Sequence, residues 1–131
     1  MTNRLAALKL IDTATKDMQV AHVLIDAYDF NDLASIKVRK AIEMSLLALV
    51  VFYGEKVKKS RDLEKTYLSI KEYIPLDKED YNLLCEANLY AIEDDRFGNN
   101  DDVDEAHLEE IIILEEYLSQ RAEKIIMGNL V

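Results

Sequence analysis

Glycine and proline are scarce in this chain: three glycines and one proline in 131 residues. An all-β protein turns often and draws on both residues to do so, which excludes that class and leaves long helices. One cysteine, Cys85, allows no internal disulfide and no cysteine-based metal site. No apolar run approaches the roughly 20 residues that a membrane span requires. The opening Met1-Thr2-Asn3-Arg4-Leu5 lacks the regions of a signal peptide, so the expectation is a cytoplasmic protein with no membrane role. Positive charge is short as well, with 16 basic residues against 26 acidic ones and a net charge of −10. Binding to DNA through phosphate neutralisation needs the reverse balance, so DNA is not an expected partner. Any contact with RNA or a nucleotide must use a local basic patch. No glycine-rich phosphate loop is present; a stand-alone nucleotide-hydrolysing enzyme and a bound cofactor are not expected.

What the chain does have is apolar periodicity. Half of its residues are hydrophobic and 32% are charged, which suits one compact domain over residues 1–131. Between Ala41 and Tyr53 only Glu43 and Ser45 are polar, and Leu46 to Tyr53 is apolar on every side. A helix without a solvent face belongs at the centre of a bundle or against a second subunit. Around it the periodicity predicts an all-α, up-and-down bundle of about five helices. The first covers about Asn3 to Ala27, with Leu8, Ile11, Ala14, Met18, Ala21 and Ile25 as its apolar stripe. The turn Asp29-Phe30-Asn31-Asp32 offers caps for the second, which ends at Tyr53 before Gly54. Ser60 caps a third reaching about Tyr73. Asp77 caps a fourth whose inward residues are Tyr81, Leu84, Ala87 and Ala91. Asp102 or Asp104 opens a fifth with Ile111, Leu114, Leu118, Ala122 and Ile125 facing in. Strict alternation would gather the end of the second helix, the start of the third, the end of the fourth and the start of the fifth at one pole. Lys56, Lys58, Lys59, Arg61, Arg96 and His107 would then share that pole.

Several segments together resemble the HEPN family of prokaryotic helical proteins. They are Ala27-Tyr28-Asp29-Phe30-Asn31-Asp32-Leu33-Ala34, then Lys40-Ala41-Ile42-Glu43 and Leu46-Leu47-Ala48-Leu49, then Ser60-Arg61-Asp62-Leu63, and Asp95-Arg96-Phe97-Gly98 before the last helix. The resemblance implies a bundle of four to five helices, commonly a homodimer, linked to nucleotide or RNA biology. Members often work beside a nucleotidyltransferase in toxin–antitoxin or defence systems. Arg39 and Lys40 stand where the family has paired glutamines, Arg61 replaces a histidine and Gly98 a proline. Members that act as ribonucleases carry an arginine followed four to six residues later by a histidine. After Arg96 the next histidine is His107, eleven residues on, so the resemblance brings a binding or interaction module more readily than a nuclease.

Four groups of residues are candidates for a role. Arg96 and His107 would serve a metal-independent ribonuclease, the histidine as base and the arginine as phosphate clamp. Nine acidic residues between Glu93 and Glu110 would repel an RNA backbone there. The structural alternative pairs Arg96 with carboxylates and leaves His107 as a solvent-facing helix residue. Lys58, Lys59, Arg61 and Asp62 form the candidate ligand site, where free amides at a helix start could receive a phosphate. Its alternative is a solvated basic loop with Asp62 complementing the helix dipole. Glu43 needs a partner inside an apolar helix, and Arg39 lies one turn before it on the same face, a structural pair. No metal site is expected: Asp104-Glu-Ala-His107 only approximates a Glu-x-x-His ligand pair. Cys85, inside the fourth helix, reads as a core residue.

Overall fold

The computed structural model describes residues 2–54, 60–90 and 103–128. Among them are five helices: α1 (Thr2–Tyr28), α2 (Asn31–Tyr53), α3 (Leu63–Ile70), α4 (Lys78–Ala87) and α5 (Glu105–Gly128). The fold is the all-α bundle that the periodicity predicts. No helix among the described residues is long and apolar enough to cross a membrane. Lys56, Lys58, Lys59, Ala91, Arg96 and Asp102 lie outside the described residues.

The stripe of α1 packs inward, with Ala7, Ile11, Ala14, Met18 and Ala21 buried and Leu8 and Ile25 half-buried. α1 ends on a left-handed Asp29 (φ 56°), a conformation that Asp tolerates better than most residues. The Asp29 amide bonds to the Ile25 carbonyl at 3.1 Å, and the Phe30 amide to Leu24 at 2.8 Å. The side-chain caps expected from this turn are not made. Phe30 itself takes the N-cap position of α2 with no side-chain hydrogen bond, and Asp32 contributes its charge to the first turn. The turn is set by backbone bonds and by the stacking of Tyr28 on Phe30, whose ring centroids lie 5.5 Å apart.

α2 is the centre of the bundle. It packs against α1, α3 and α5, which together bury Ala34, Val38, Ala41, Ile42, Leu46, Ala48, Leu49 and Val50. The three neighbours leave Met44, Leu47, Val51, Phe52 and Tyr53 partly buried. Gly54 closes α2 in the left-handed region (φ 65°), its amide shared between the Val50 and Val51 carbonyls.

α3 is shorter than expected and has a different cap. Asp62, not Ser60, is its N-cap: the carboxylate accepts from the amides of Glu64 at 3.0 Å and Lys65 at 3.2 Å. Ser60 sits two residues too early, and its Oγ accepts the Asp62 amide instead. After Ile70 the chain turns, because Tyr67 staples the segment around Pro75. Its buried hydroxyl donates to the Ile74 carbonyl at 3.1 Å and accepts the Leu76 amide at 2.8 Å, either side of that proline. Asp77 caps α4 as expected, accepting the Asp80 amide at 2.8 Å. Asp104 precedes α5 and accepts the His107 amide at 3.2 Å.

These bonds and packings fix the direction of each helix. Gly54 lies beside Asn3, and Arg4 Nε donates to the Ile126 carbonyl at 3.1 Å, so the end of α2, the start of α1 and the end of α5 share one pole. The start of α3 does not join them. The Arg61 carbonyl accepts from Arg39, and Ser60 and Arg61 face Glu43, Met44 and Leu47, halfway along α2. Tyr73, just past α3, stacks on Tyr53 with ring centroids 3.6 Å apart. α3 thus runs parallel to α2, and the expected pole divides. The starts of α3 and α5 and the end of α4 gather around Arg39, away from the end of α2. The apolar flank of α2 drives this arrangement, since α3 must lie along that flank to bury Leu63, Tyr67 and Ile70.

A buried acid on α5 has a consequence for stability. Glu115, on α5, is 2% exposed, and burial pushes its carboxyl up to about 7, with Ser119 opposing and Glu116 adding to the shift. An acid raised in the folded state favours folding when protonated. Its stabilising contribution is complete below the unfolded value of 4.5 and is lost as pH rises through about 7. Such a displacement corresponds to about 3 kcal/mol at most. Glu115→Gln should therefore gain stability over the wild type between pH 5 and pH 8, by about 2 kcal/mol in urea unfolding. A difference between the two proteins that does not change with pH would contradict it.

Candidate functional site

A buried guanidinium organises the pole where α3, α4 and α5 meet α2. Arg39 is 4% exposed, an uncommon state for a charged side chain, and must find partners inside the protein. Its Nη2 donates to the Arg61 carbonyl and to Asn88 Oδ1, both at 2.9 Å. Asn88, the residue that ends α4, joins three segments at once. Its Oδ1 also accepts the Leu63 amide at 2.9 Å, and its Nδ2 donates to Asp62 Oδ1 at 3.0 Å. Burial lowers the pKa of Arg39, while the charges of Glu43 and Asp62 oppose that shift. The Asp62 carboxyl is held below its usual range, chiefly by the Lys65 amide and further by Asn88 and the Glu64 amide.

This frame changes the reading of the predicted ligand residues. The amides at the start of α3 are already bonded: Leu63 to Asn88, Glu64 and Lys65 to Asp62, and Thr66 to the Asp62 carbonyl. A phosphate arriving there would meet the carboxylate of Asp62 in place of open N–H groups. Asp62 acts as a helix cap, and of the described pair Arg61 is the one that offers positive charge. Lys58 and Lys59 lie outside the described residues. Arg39 and Glu43 are coupled as charges, but the hydrogen bonds of Arg39 go to Arg61 and Asn88, not to Glu43. The expected structural pair is a network centred on Asn88.

Beside the frame lies a hollow of about 380 Å³. Glu43, Met44 and Leu47 of α2 form one wall, and Ser60, Arg61 and Thr66 the other. Burial raises the pKa of Glu43, and Arg39, Arg61 and Lys40 pull it back. The hollow thus combines the apolar side chains of Met44 and Leu47 with one acidic and one basic residue.

His107 occupies a different setting. Its Nε2 lies 2.6 Å from Glu86 Oε2 and its Nδ1 lies 3.0 Å from the Tyr90 hydroxyl, so it is a half-buried clasp between α4 and α5 and not a solvent-facing residue. Burial and the charges of Glu86 and Asp104 push Tyr90 up to about 12, so a neutral phenol stands beside the imidazole. Glu79, Asp80, Glu86 and Glu110 line the hollow in front of His107, four carboxylates that would repel a phosphodiester. Arg96, its proposed partner, lies outside the described residues. Among the described residues no group of three or more His, Cys, Asp or Glu side chains is placed to hold a metal ion. The Cys85 thiol, raised by burial and bonded to Glu64, is not activated as a nucleophile. Glu64 also accepts from the Tyr81 hydroxyl.

Asn88, Glu86 and Tyr90 were missed as sequence candidates. Asn88 had a readable signal, since it continues the inward spacing of Tyr81 and Leu84 as a polar residue on an apolar stripe. Glu86 and Tyr90 had none, because their role depends on how α5 docks. Comparison of the chain with protein-family models, with curated proteins and with solved structures finds no match to any of them.

Removing the amide of Asn88 leaves the Leu63 amide without its acceptor and takes from the buried guanidinium one of its two bonds, the one to the Arg61 carbonyl remaining. Each such loss costs on the order of 1–3 kcal/mol, so Asn88→Ala should lower the unfolding free energy by about 2–4 kcal/mol in urea titration. A loss smaller than about 0.5 kcal/mol, the scale of an ordinary surface substitution, would show that the network is not needed.

Proposed function

We propose that this chain is a HEPN-like helical module that binds a nucleotide or RNA and contributes binding without catalysis. In this reading it is a homodimer that serves as the partner of a nucleotidyltransferase in a toxin–antitoxin or defence system. The observation that carries the reading is the hollow at Arg61. There Glu43 and Arg61, whose backbone carbonyl is held by Arg39, line one hollow with Met44 and Leu47. The order of the motifs from Ala27 to Leu63 supports the same assignment. For the dimer, support comes from apolar side chains left at the surface of α1 and the adjoining corner, among them Val20, Val23, Phe30 and Leu33. The competing reading, a ribonuclease built on Arg96 and His107, has weaker support, since carboxylates surround the imidazole and hold one of its nitrogens.

The test is direct binding of a labelled RNA oligonucleotide and of mononucleotides to the wild type and to a Lys58→Ala, Lys59→Ala, Arg61→Ala triple variant. The triple variant should bind RNA at least about tenfold more weakly, with a salt dependence reduced by roughly 0.7 for each phosphate that is no longer neutralised. Sedimentation of the same samples should show a dimer. Equal affinity in the two proteins would remove the site, and a stable monomer at micromolar concentration would remove the dimer.

A further inference from the structure

We infer that the hollow between α2 and the start of α3 selects a guanine base, with Glu43 reading its N1–H and N2 amino edge, Met44 and Leu47 under the ring, and Arg61 at the anionic end. This rests on the nucleotide-binding reading and narrows it to one base. Glu43 and Leu47 are one helical turn apart on the same face of α2, so the carboxylate stands at the edge of the apolar patch. The two hydroxyls of the opposite wall are already used, Ser60 accepting the Asp62 amide at 3.0 Å and Thr66 donating to the Asp62 carbonyl at 3.1 Å. The Glu43 carboxylate receives no hydrogen bond from the described residues, so it is the acceptor that a ligand meets. Burial disfavours its bare charge, and Arg39, Arg61 and Lys40 hold it in a positive field.

The selection follows from base chemistry. A carboxylate has two acceptor oxygens and no donor when ionised, and it matches a ligand edge with two adjacent N–H groups. Guanine carries that edge, N1–H beside the N2 amino group. Adenine and cytosine place a ring-nitrogen acceptor next to their amino donor, which would face a carboxylate oxygen lone pair to lone pair. Uracil has one N–H between two carbonyls. A hollow of about 380 Å³ is large enough for a purine with part of its sugar. Arg61 lines the hollow and its charge reaches Glu43, which suits a phosphate beyond the sugar.

The experiment is an NMR titration of the intact wild-type chain, labelled at the Met and Leu methyl groups, with GMP, IMP, AMP, CMP and UMP. GMP should bind at least about tenfold more tightly than AMP, CMP or UMP, as a bidentate base contact discriminates. IMP, which lacks the N2 amino group, should fall between, and the shifted methyl groups should include those of Met44 and Leu47. Glu43→Gln should lose the preference for GMP over AMP; the IMP comparison needs no variant and stands if that protein folds poorly. Equal affinity for the five nucleotides, or GMP binding without shifts at Met44 and Leu47, overturns the guanine assignment and leaves nucleotide binding intact. Absence of binding to the mononucleotides together with retained RNA binding overturns the assignment in the same way. Failure to bind any mononucleotide or RNA overturns both readings.

Discussion

The fold turns on a single buried guanidinium. Arg39 cannot be desolvated without partners, and the partners it has come from two other parts of the chain: the Arg61 carbonyl before α3 and the Asn88 side chain at the end of α4. Asn88 in turn takes the Leu63 amide and bonds Asp62, so one amide group satisfies a cation, a helix start and a capping carboxylate together. Removing any member of such a network leaves buried polar groups unpaired, so its bonds favour this arrangement of the helices. The Nε of Arg39 is buried without a hydrogen bond, which makes the two bonds at Nη2 the more important. α3, with only eight residues, is too short to hold its place by helix propensity and depends on this anchorage together with its buried Leu63, Tyr67 and Ile70.

The consequence reaches the surface. Because Arg39 draws the start of α3 to the middle of α2, the hollow forms there, with Glu43 and Arg61 on opposite walls. The same gathering brings the end of α4 against the start of α5, where His107 is clasped by Glu86 and Tyr90. A chain with a net charge of −10 therefore keeps two unlike environments near one pole. One is lined by carboxylates around an imidazole, and the other offers a guanidinium beside an apolar floor. The proposed function rests on that contrast, because among the described residues the charged groups lining the first beside the imidazole are all carboxylates, while the second sets Arg61 against Glu43.

Much of the fold was legible in the sequence. Apolar spacing located the helices to within a few residues, and Asp77 and Gly54 marked boundaries because capping is local chemistry. The errors arose where two local signals competed or where a long-range contact decided. Ser60 and Asp62 are both plausible caps, and the carboxylate two residues on reaches the amides that the serine does not. The third helix was expected to continue to Tyr73, but the Tyr67 hydroxyl bonds across Pro75 and ends the run at Ile70. The parallel course of α3 could not be read from loop length, which suggested simple alternation. Arg39 and Glu43 share a helix face, so a pair was the natural expectation; that Asn88 would claim the arginine depends on α4 docking some fifty residues later. For the candidate site, Arg61 and Glu43 were visible as unusual residues, while the hollow between them exists only once α3 is laid along α2.

Native-state hydrogen exchange on the wild type and Asn88→Ala tests the central claim most directly, because it reads each helix separately. If the Arg39–Asn88–Asp62 network anchors α3 and α4, the amides of Leu63, Glu64 and Lys65 and those within both helices should lose protection in the variant. α1, α2 and α5 should retain theirs apart from any common loss of global stability. Equal loss in every helix, or unchanged protection at Leu63, would contradict the account.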